Sequence, residues 1–360
     1  MINIGLFGYG TVGHGVKELL ASQKNIGVFN LKKVFDRKEK AEEIGDIYAS
    51  SIKEITADNN IDTVIECMGG DELPYQAITS SLKAGKNVIS SNKETISKHL
   101  KEYLALAKEN HASIQFEASV GGGIPLINPL WCLSQFDQID SLQGILNGTS
   151  NSILTEMEES QLSFNQAVSL AQQKGFAEKD PSDDLNGNDL ARKGAILASL
   201  AFQAEIKPDD FTRFGIENLT PMIISTLKKA GKRIKLILLV EKKEEGILNL
   251  VLPVAFDLQA PLALVKEETN GVLIDCSKNG PLFFEGKGAG KNPTASAILQ
   301  DLTRVNSNIA PSFNPDINKP KLLKELPGRF YGFHPDGRME KLVDPSETEL
   351  RSFSFICQDK

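Results

Sequence analysis

Short apolar runs alternate with amphipathic stretches over the first third of the chain, a pattern that predicts βαβα units built around a parallel sheet. "INIGLFG" reads as a buried strand, and "TVGHGVKELLASQ" as a helix with Val12, Val16, Leu19 and Leu20 on one face. "LKKVFD", "DTVIECMG", "KNVISS" and "ASIQFEAS" supply further strands, with "PYQAITSSLKAG" and "KETISKHLKEYLALAKEN" as helices between some of them. The fold class expected is α/β, a Rossmann-type doubly wound parallel sheet.

From about residue 130 the pattern changes. Helical candidates "NSILTEMEES", "SFNQAVSLAQQKG" and "DLARKGAILASLAFQ" come first, followed by the strand-like runs "KLILLVEK", "LNLVLPVAF" and "NGVLIDC". A second, α+β domain with its own sheet is the economical reading. Near residue 286, "GKGAGKNPTASAILQDLTRV" combines a Gly-rich turn with a helix that has Pro293 close to its start, and this predicts a return to the first domain. The expected divisions are 1–130 with a return segment at about 286–310, then 131–285, then a tail of unknown role at 311–360. Within the tail, "RFYGFHPDGRMEKLV" is a hairpin candidate around a Pro-Asp-Gly turn.

Composition narrows the function classes. The 360 residues are 41% hydrophobic and 24% charged with a formal net charge of -7, a balance that attracts neither nucleic acid nor an anionic membrane. A small-molecule enzyme fits better. Cys67, Cys132, Cys276 and Cys357 are widely spaced and lack a C-x-x-C pair, so a reducing cytoplasm is expected, without a disulfide framework or a zinc site. No segment approaches the roughly 18 apolar residues of a membrane span. None of the four histidines, His14, His99, His111 and His334, stands next to a carboxylate motif, so proton chemistry is expected to fall to another residue type.

Gly8-Tyr9-Gly10-Thr11-Val12-Gly13 is G-x-G-x-x-G between a strand and a helix. The first Gly permits the turn, the second lets a pyrophosphate approach the backbone, and the third lets helix and strand pack closely. The phosphates of a dinucleotide would then sit on the helix N-terminus. Asp36, at the next strand end, could accept the ribose hydroxyls of NAD, whereas Arg37 and Lys38 could pair with the 2′-phosphate of NADP or simply be exposed loop charges. Lys93 in "SSNKET" also follows a buried strand, where α/β sheets bind ligands. "EASVGGGIPL" presses a backbone close to something or serves as a hinge. "GFAEKDPSDDLNGNDLARKG" places Asp189 in the first turn of a helix and Lys193 at i+4, on the same face. That pair reads either as a solvated helix start or as an acidic wall with one lysine, suited to a substrate bearing an ammonium group.

Taken in order, "GYGTVG", "SSNK", "EASVGGGIPL", "GILNGTSNSILTEM", "GFAEKDPSDDLNGNDLARK" and "GKGAGKNPTASA" resemble the homoserine dehydrogenase family over roughly residues 1–305. The resemblance implies NAD(P)-dependent, reversible interconversion of L-homoserine and L-aspartate 4-semialdehyde, a step of threonine, isoleucine and methionine biosynthesis. It makes 1–130 the dinucleotide-binding domain and 131–285 the substrate-binding and dimerisation domain, in a homodimer. By this resemblance Gly8, Gly10, Thr11, Val12, Gly13, Met68, Gly69, Ser91, Lys93, Gly288 and Gly290 hold the cofactor, NADP or NAD, with Asp36 and Arg37 beside it. Glu178, Asp184, Asp189, Thr149 and Gly175 contact the substrate. Lys193 is the proton donor or acceptor, Asp189 orients the substrate, and Lys93 assists. A sodium ion is held by main-chain oxygens of Glu117, Val120, Gly122 and Ile124. Ser91 stands where the family usually has alanine, and the tail does not read as an ACT regulatory domain. The rival expectations are another Rossmann dehydrogenase acting on aspartate or a diamino acid, and a nucleotide-sensing protein without turnover.

Overall fold

The computed structural model of the chain describes residues 1–22, 27–309, 311, 313–314, 316–324, 329–333, 339–342 and 354–358. The chain divides into two compact units. The first comprises Met1–Gln135, Ser199–Glu205 and Ala289–Asn318, and the second Phe136–Ala198, Ile206–Gly288 and Lys319–Lys360.

The first unit holds a six-stranded parallel sheet of β1 (Ile2–Phe7), β2 (Phe29–Phe35), β3 (Tyr48–Ala49), β4 (Thr63–Glu66), β5 (Asn87–Ser90) and β6 (Ile114–Gln115). Their order is β3-β2-β1-β4-β5-β6, so the winding reverses between β1 and β4. In such sheets ligands bind beyond the strand ends at that reversal. Ile4, Leu6, Ile65 and Ile89 are buried in one core with Val16 and Leu20 of the helix Thr11–Leu20, while Val12 and Leu19 pack on its margin. The late helix Lys291–Asn306 adds Ala295, Ile298 and Leu302 to the same core. It lies so close to the first helix that a Cβ on Gly15 would stand 3.0 Å from the Lys291 carbonyl oxygen.

The second unit is a ten-stranded mixed sheet containing β7 (Ile139–Ile145), β8 (Thr212–Arg213), β9 (Lys232–Lys243), β10 (Gly246–Asp257), β11 (Thr269–Cys276) and β12 (Gly280–Lys287). β9 and β10 form a long antiparallel pair, and β10 is buried over ten of its residues, which explains its nearly unbroken apolar run. β7 and β12 were not anticipated. "IDSLQGI" carries polar residues in its interior, and β12 alternates exposed with half-buried positions along the sheet edge. Their membership is decided by pairing with β11 and β9 rather than by local hydrophobicity.

The C-terminal segment also joins this sheet, through β13 (Leu322–Leu323), β14 (Arg329–Phe333), β15 (Met339–Leu342) and β16 (Ser354–Gln358). β14 and β15 pair antiparallel as a hairpin requires, and the Pro-Asp-Gly turn itself lies outside the described residues. Among the described residues no helix is long and apolar enough to cross a membrane.

Candidate active site

In the second unit, β7 ends at Ile145 and the helix Gly148–Ser160 starts three residues later. Asn147 caps that helix, its Oδ1 accepting from Ser150 N at 2.8 Å. The Asn147 amide then donates to two carboxylates, Asp184 Oδ1 at 2.6 Å and Asp189 Oδ2 at 2.9 Å. Lys193 Nζ donates to the same Asp189 oxygen at 2.7 Å and to the Leu146 carbonyl at 2.5 Å. The helix Asn188–Phe202 carries the acid and the lysine one turn apart, as the i,i+4 spacing predicts. Its start is set by an Asx turn in which Asn188 N donates to Asn186 Oδ1 at 3.0 Å.

Burial decides between the two readings of this stretch. The Lys193 and Asp189 side chains are 11% and 3% exposed, so the pair is not a solvated helix start. Burial pushes the Asp184 carboxyl above the usual carboxylate range, opposed by the Asn147 hydrogen bond and reinforced by the Asp189 charge. The neighbouring Asp183 behaves oppositely. It faces outward, accepts from Asn188 Nδ2 at 2.9 Å and Arg192 Nη1 at 2.7 Å, and those bonds hold its carboxyl below the usual range. Asp180 caps its own turn by accepting from Ser182 N at 3.2 Å.

Of the other expected residues, Thr149 reaches this cluster through the Asp184 carboxyl and Glu178 does not. Thr149 sits in the first turn of the helix capped by Asn147 and donates to the Phe176 carbonyl at 2.8 Å, which ties the cluster to the loop containing Gly175. The Glu178 side chain is exposed, and its main-chain oxygen, rather than its carboxylate, accepts from Gln172. Asn147 falls inside the motif "GILNGTSNSILTEM" without an expected role of its own, although an Asn directly after a strand and three residues before a helical serine is a capping signal.

In the first unit the Gly-rich loop has the shape its spacing implies. A Cβ on Gly8 would come within 2.8 Å of the Cys67 carbonyl, and one on Gly13 would overlap the Gly8 oxygen. At Gly10 a Cβ would meet nothing within 4 Å. Gly10 is also the N-cap of the helix Thr11–Leu20, gives it no side-chain cap, and has no heavy atom within 4 Å of where a Cβ would stand, a shape that suits an anion at a helix start. The Asp36 carboxylate accepts from the Tyr9 N–H of this loop and, at 2.6 Å, from Arg37 N. The Arg37 side chain is 84% exposed.

Two further segments are linked beneath the loop. The Glu66 carboxylate at the end of β4 is buried and accepts from Met68 N and Ser90 Oγ, both at 2.6 Å. Asn92 Nδ2 donates to the carbonyls of Met68 and Gly70 at 3.2 and 2.7 Å, and its Oδ1 caps the helix Lys93–Glu109. Met68, Gly69, Ser91 and Lys93 therefore belong to one bonded assembly, with Lys93 at the first helical position. Gly290 is the N-cap of the helix Lys291–Asn306 at φ +117°. Gly288 instead backs onto the Asn270 side chain of the second unit.

The Glu117 carboxylate is buried, accepting from Leu126 N at 2.6 Å, Ile127 N at 2.7 Å, Asn128 N at 3.0 Å and the Asn128 amide. With the side chain engaged in this way, main-chain oxygens are what the segment offers a cation. Gly121 and Gly122, at φ +73° and +58°, turn the chain sharply between Val120 and Ile124. Main-chain oxygens are the donor type that suits a hard ion. Among the described residues no group of three or more His, Cys, Asp and Glu side chains is placed to hold a metal.

Comparisons with known proteins agree with both halves of this geometry. Residues 8–117 match the family model described as "Homoserine dehydrogenase, NAD binding domain", and residues 125–303 match "Homoserine dehydrogenase". The homoserine dehydrogenase of Lactococcus lactis is 33% identical over an alignment covering 100% of this chain and 89% of that protein. The chain belongs to the homoserine dehydrogenase family. A crystal structure of a homoserine dehydrogenase from Thiobacillus denitrificans superposes with a TM-score of 0.85 at 31% identity, covering 93% of this chain and 83% of that one. A hyperthermophilic archaeal homoserine dehydrogenase in complex with NADPH gives a TM-score of 0.75 at 27% identity, covering 87% and 99%. The chain is thus an NAD(P)-dependent oxidoreductase that interconverts L-homoserine and L-aspartate 4-semialdehyde. The readings as an aspartate or diamino acid dehydrogenase, or as a sensor without turnover, are set aside.

Proposed function

We propose that Lys193 is the proton donor and acceptor of this homoserine dehydrogenase and that Asp189 and Asp184, both held by Asn147, bind and orient the substrate. The observation that carries the assignment is the buried Lys193–Asp189 pair, with Nζ fixed between a carboxylate and the Leu146 carbonyl. In the reductive direction Lys193 Nζ gives a proton to the C4 oxygen as it becomes an alkoxide, and in the oxidative direction it takes the proton from the homoserine hydroxyl. Asp184, with Glu178 from its exposed position, receives the substrate ammonium, while Thr149 and Gly175 border the same loop. Holding both reactants supplies much of the rate.

On this reading the Gly8–Gly13 loop binds the pyrophosphate, and Met68, Gly69, Ser91, Lys93 and Gly290 complete the cofactor site within a dinucleotide-binding domain. The nicotinamide cofactor carries the hydride. Asp36 faces the adenosine ribose, and the exposed Arg37, whose Nε lies 3.8 Å from Asp36 Oδ1, meets a 2′-phosphate, which supports use of NADP. A sodium ion would be held by the main-chain oxygens of Glu117, Val120, Gly122 and Ile124 and would stabilise that turn as a hard cation. The protein works as a cytoplasmic homodimer, a reading supported by the half-exposed edge strand β12 and by the free thiols of Cys67, Cys132 and Cys276.

Replacing Lys193 by Ala is expected to lower kcat by about 10²- to 10⁴-fold while nucleotide affinity is retained, because general acid–base groups contribute on that order. Wild-type turnover of homoserine by a folded Lys193→Ala protein would remove the assignment. Initial rates with NADP and NAD, each in sodium and in choline salts, test the cofactor and cation readings. Light scattering that finds only monomer would refute the dimer.

A further inference from the structure

Glu66 is a carboxyl group that the hydride-transfer chemistry does not use, yet it occupies a commanding position. It ends β4, the strand beside which the winding of the first sheet reverses. It is completely buried, and burial raises its carboxyl to about 7 despite hydrogen bonds from Ser90, Met68 and Asn92. Its two oxygens reach different segments: Oε1 accepts from Met68 N and Oε2 from Ser90 Oγ. Ser90 Oγ in turn accepts from Asn92 N at 3.1 Å, and the Asn92 amide returns to Met68 and Gly70. Ser91 N closes the circuit by donating to the Glu66 main-chain oxygen at 3.0 Å.

We propose that Glu66 is the positioning residue that holds the segments Met68–Gly70 and Ser91–Lys93 in register for the dinucleotide, and that it does so fully only as a carboxylate. This rests on the reading that those segments border the cofactor. A carboxylate can accept every donor aimed at it. Once protonated, it must itself donate to Ser90 Oγ, which already accepts from Asn92 N. The hydroxyl hydrogen of Ser90 then loses its acceptor in a buried place, and relief requires Ser90 or Asn92 to shift. Either movement disturbs both segments together.

The titratable groups that neighbouring segments bring near Glu66 include Cys67, Tyr103, Asp71 and His99. Burial and the Glu66 charge keep the Cys67 thiol protonated, with Asp36 adding to the effect. Tyr103, from the helix Lys93–Glu109, is held protonated by burial, with Asp71, Glu66 and Glu102 contributing. Asp71 stays ionised, its carboxyl held below the usual range by Lys98 and His99 against the opposing effect of burial. Lys93 is the first residue of that helix.

The test is the dissociation constant for NADPH and for NADH, followed by cofactor fluorescence from about pH 6 to about pH 8.5, in wild type, Glu66→Gln and Ser90→Ala. Glutamine, like the protonated acid, offers both a donor and an acceptor, adds a second N–H, and does not titrate. Wild-type affinity is expected to weaken by about tenfold as pH falls through neutrality, the equivalent of one charge-assisted hydrogen bond. Glu66→Gln is expected to hold the weak, low-pH value throughout. Ser90→Ala removes a donor that favours the ionised form, so its inflection should move to higher pH. A Glu66→Gln curve that bends like wild type overturns the proposal, as does an unmoved inflection in Ser90→Ala. If Glu66→Gln does not fold, Ser90→Ala decides alone. Failure of wild type to bind either nucleotide at any pH would instead overturn the assignment of the cofactor site.

Discussion

At the residue scale, the acidic stretch 175–194 separates into groups with different surroundings although they are chemically alike. Asp189 and Asp184 share the amide of Asn147, whereas Asp183 bonds outward to Arg192 and Asn188. Asn147→Ala removes a helix cap of about 1 kcal/mol and the donor common to two carboxylates, so kcat is expected to fall by about tenfold or more. Asp183→Ala loses an exposed ion pair of at most about 1 kcal/mol and should leave kcat within about twofold of wild type. Steady-state rates for the two variants, with thermal melts alongside, test this contrast. The i,i+4 spacing of Asp189 and Lys193 was legible in the sequence. Their burial was not, because it depends on Leu146 and Asn147, some forty residues upstream.

At the element scale, the junction of β1 with the helix Thr11–Leu20 shows why the glycines of one motif are not interchangeable. Gly13 has the Gly8 carbonyl against it, so Gly13→Ala forces the helix away from the strand and is expected to lower the melting temperature. Gly10 has open space around it, so Gly10→Ala should fold with normal stability and lose cofactor affinity, since the added methyl occupies the place of the pyrophosphate. Equal effects of the two substitutions on stability and binding would contradict this account. The same comparison shows what local pattern can and cannot reveal. The buried strands β1, β4, β5, β9 and β10 announce themselves by apolar runs, and β14 and β15 by the turn signal between them, while β7, β12, β13 and β16 are defined by their partners.

For the whole molecule, stability carries the signature of a lysine placed where water cannot reach it. Lys235 on β9 is 1% exposed, donates to Asn151 Oδ1 and the Val265 carbonyl, and has its ammonium pushed down to about 7 by burial. The unfolded chain keeps this proton up to the ordinary lysine range, so between about pH 7 and about pH 9.5 it binds more protons than the folded chain and stability rises with pH. Below about pH 7 both states hold the proton and the contribution is flat. Lys235→Met should therefore remove part of the rise in melting temperature over that interval, and an unchanged slope would show that Lys235 is not its source.

The sequence by itself determined the two kinds of architecture, the dinucleotide loop, the helix bearing Asp189 and Lys193, and membership of the family, because each is written in local periodicity or in motifs of fixed spacing. The tertiary structure decided which acids are buried, that Asn147 joins two of them, that Glu66 links two segments of the first unit, and that the C-terminal strands complete the second sheet. Burial and hydrogen bonding between distant segments depend on which surfaces the fold brings together, and no window along the chain contains that information.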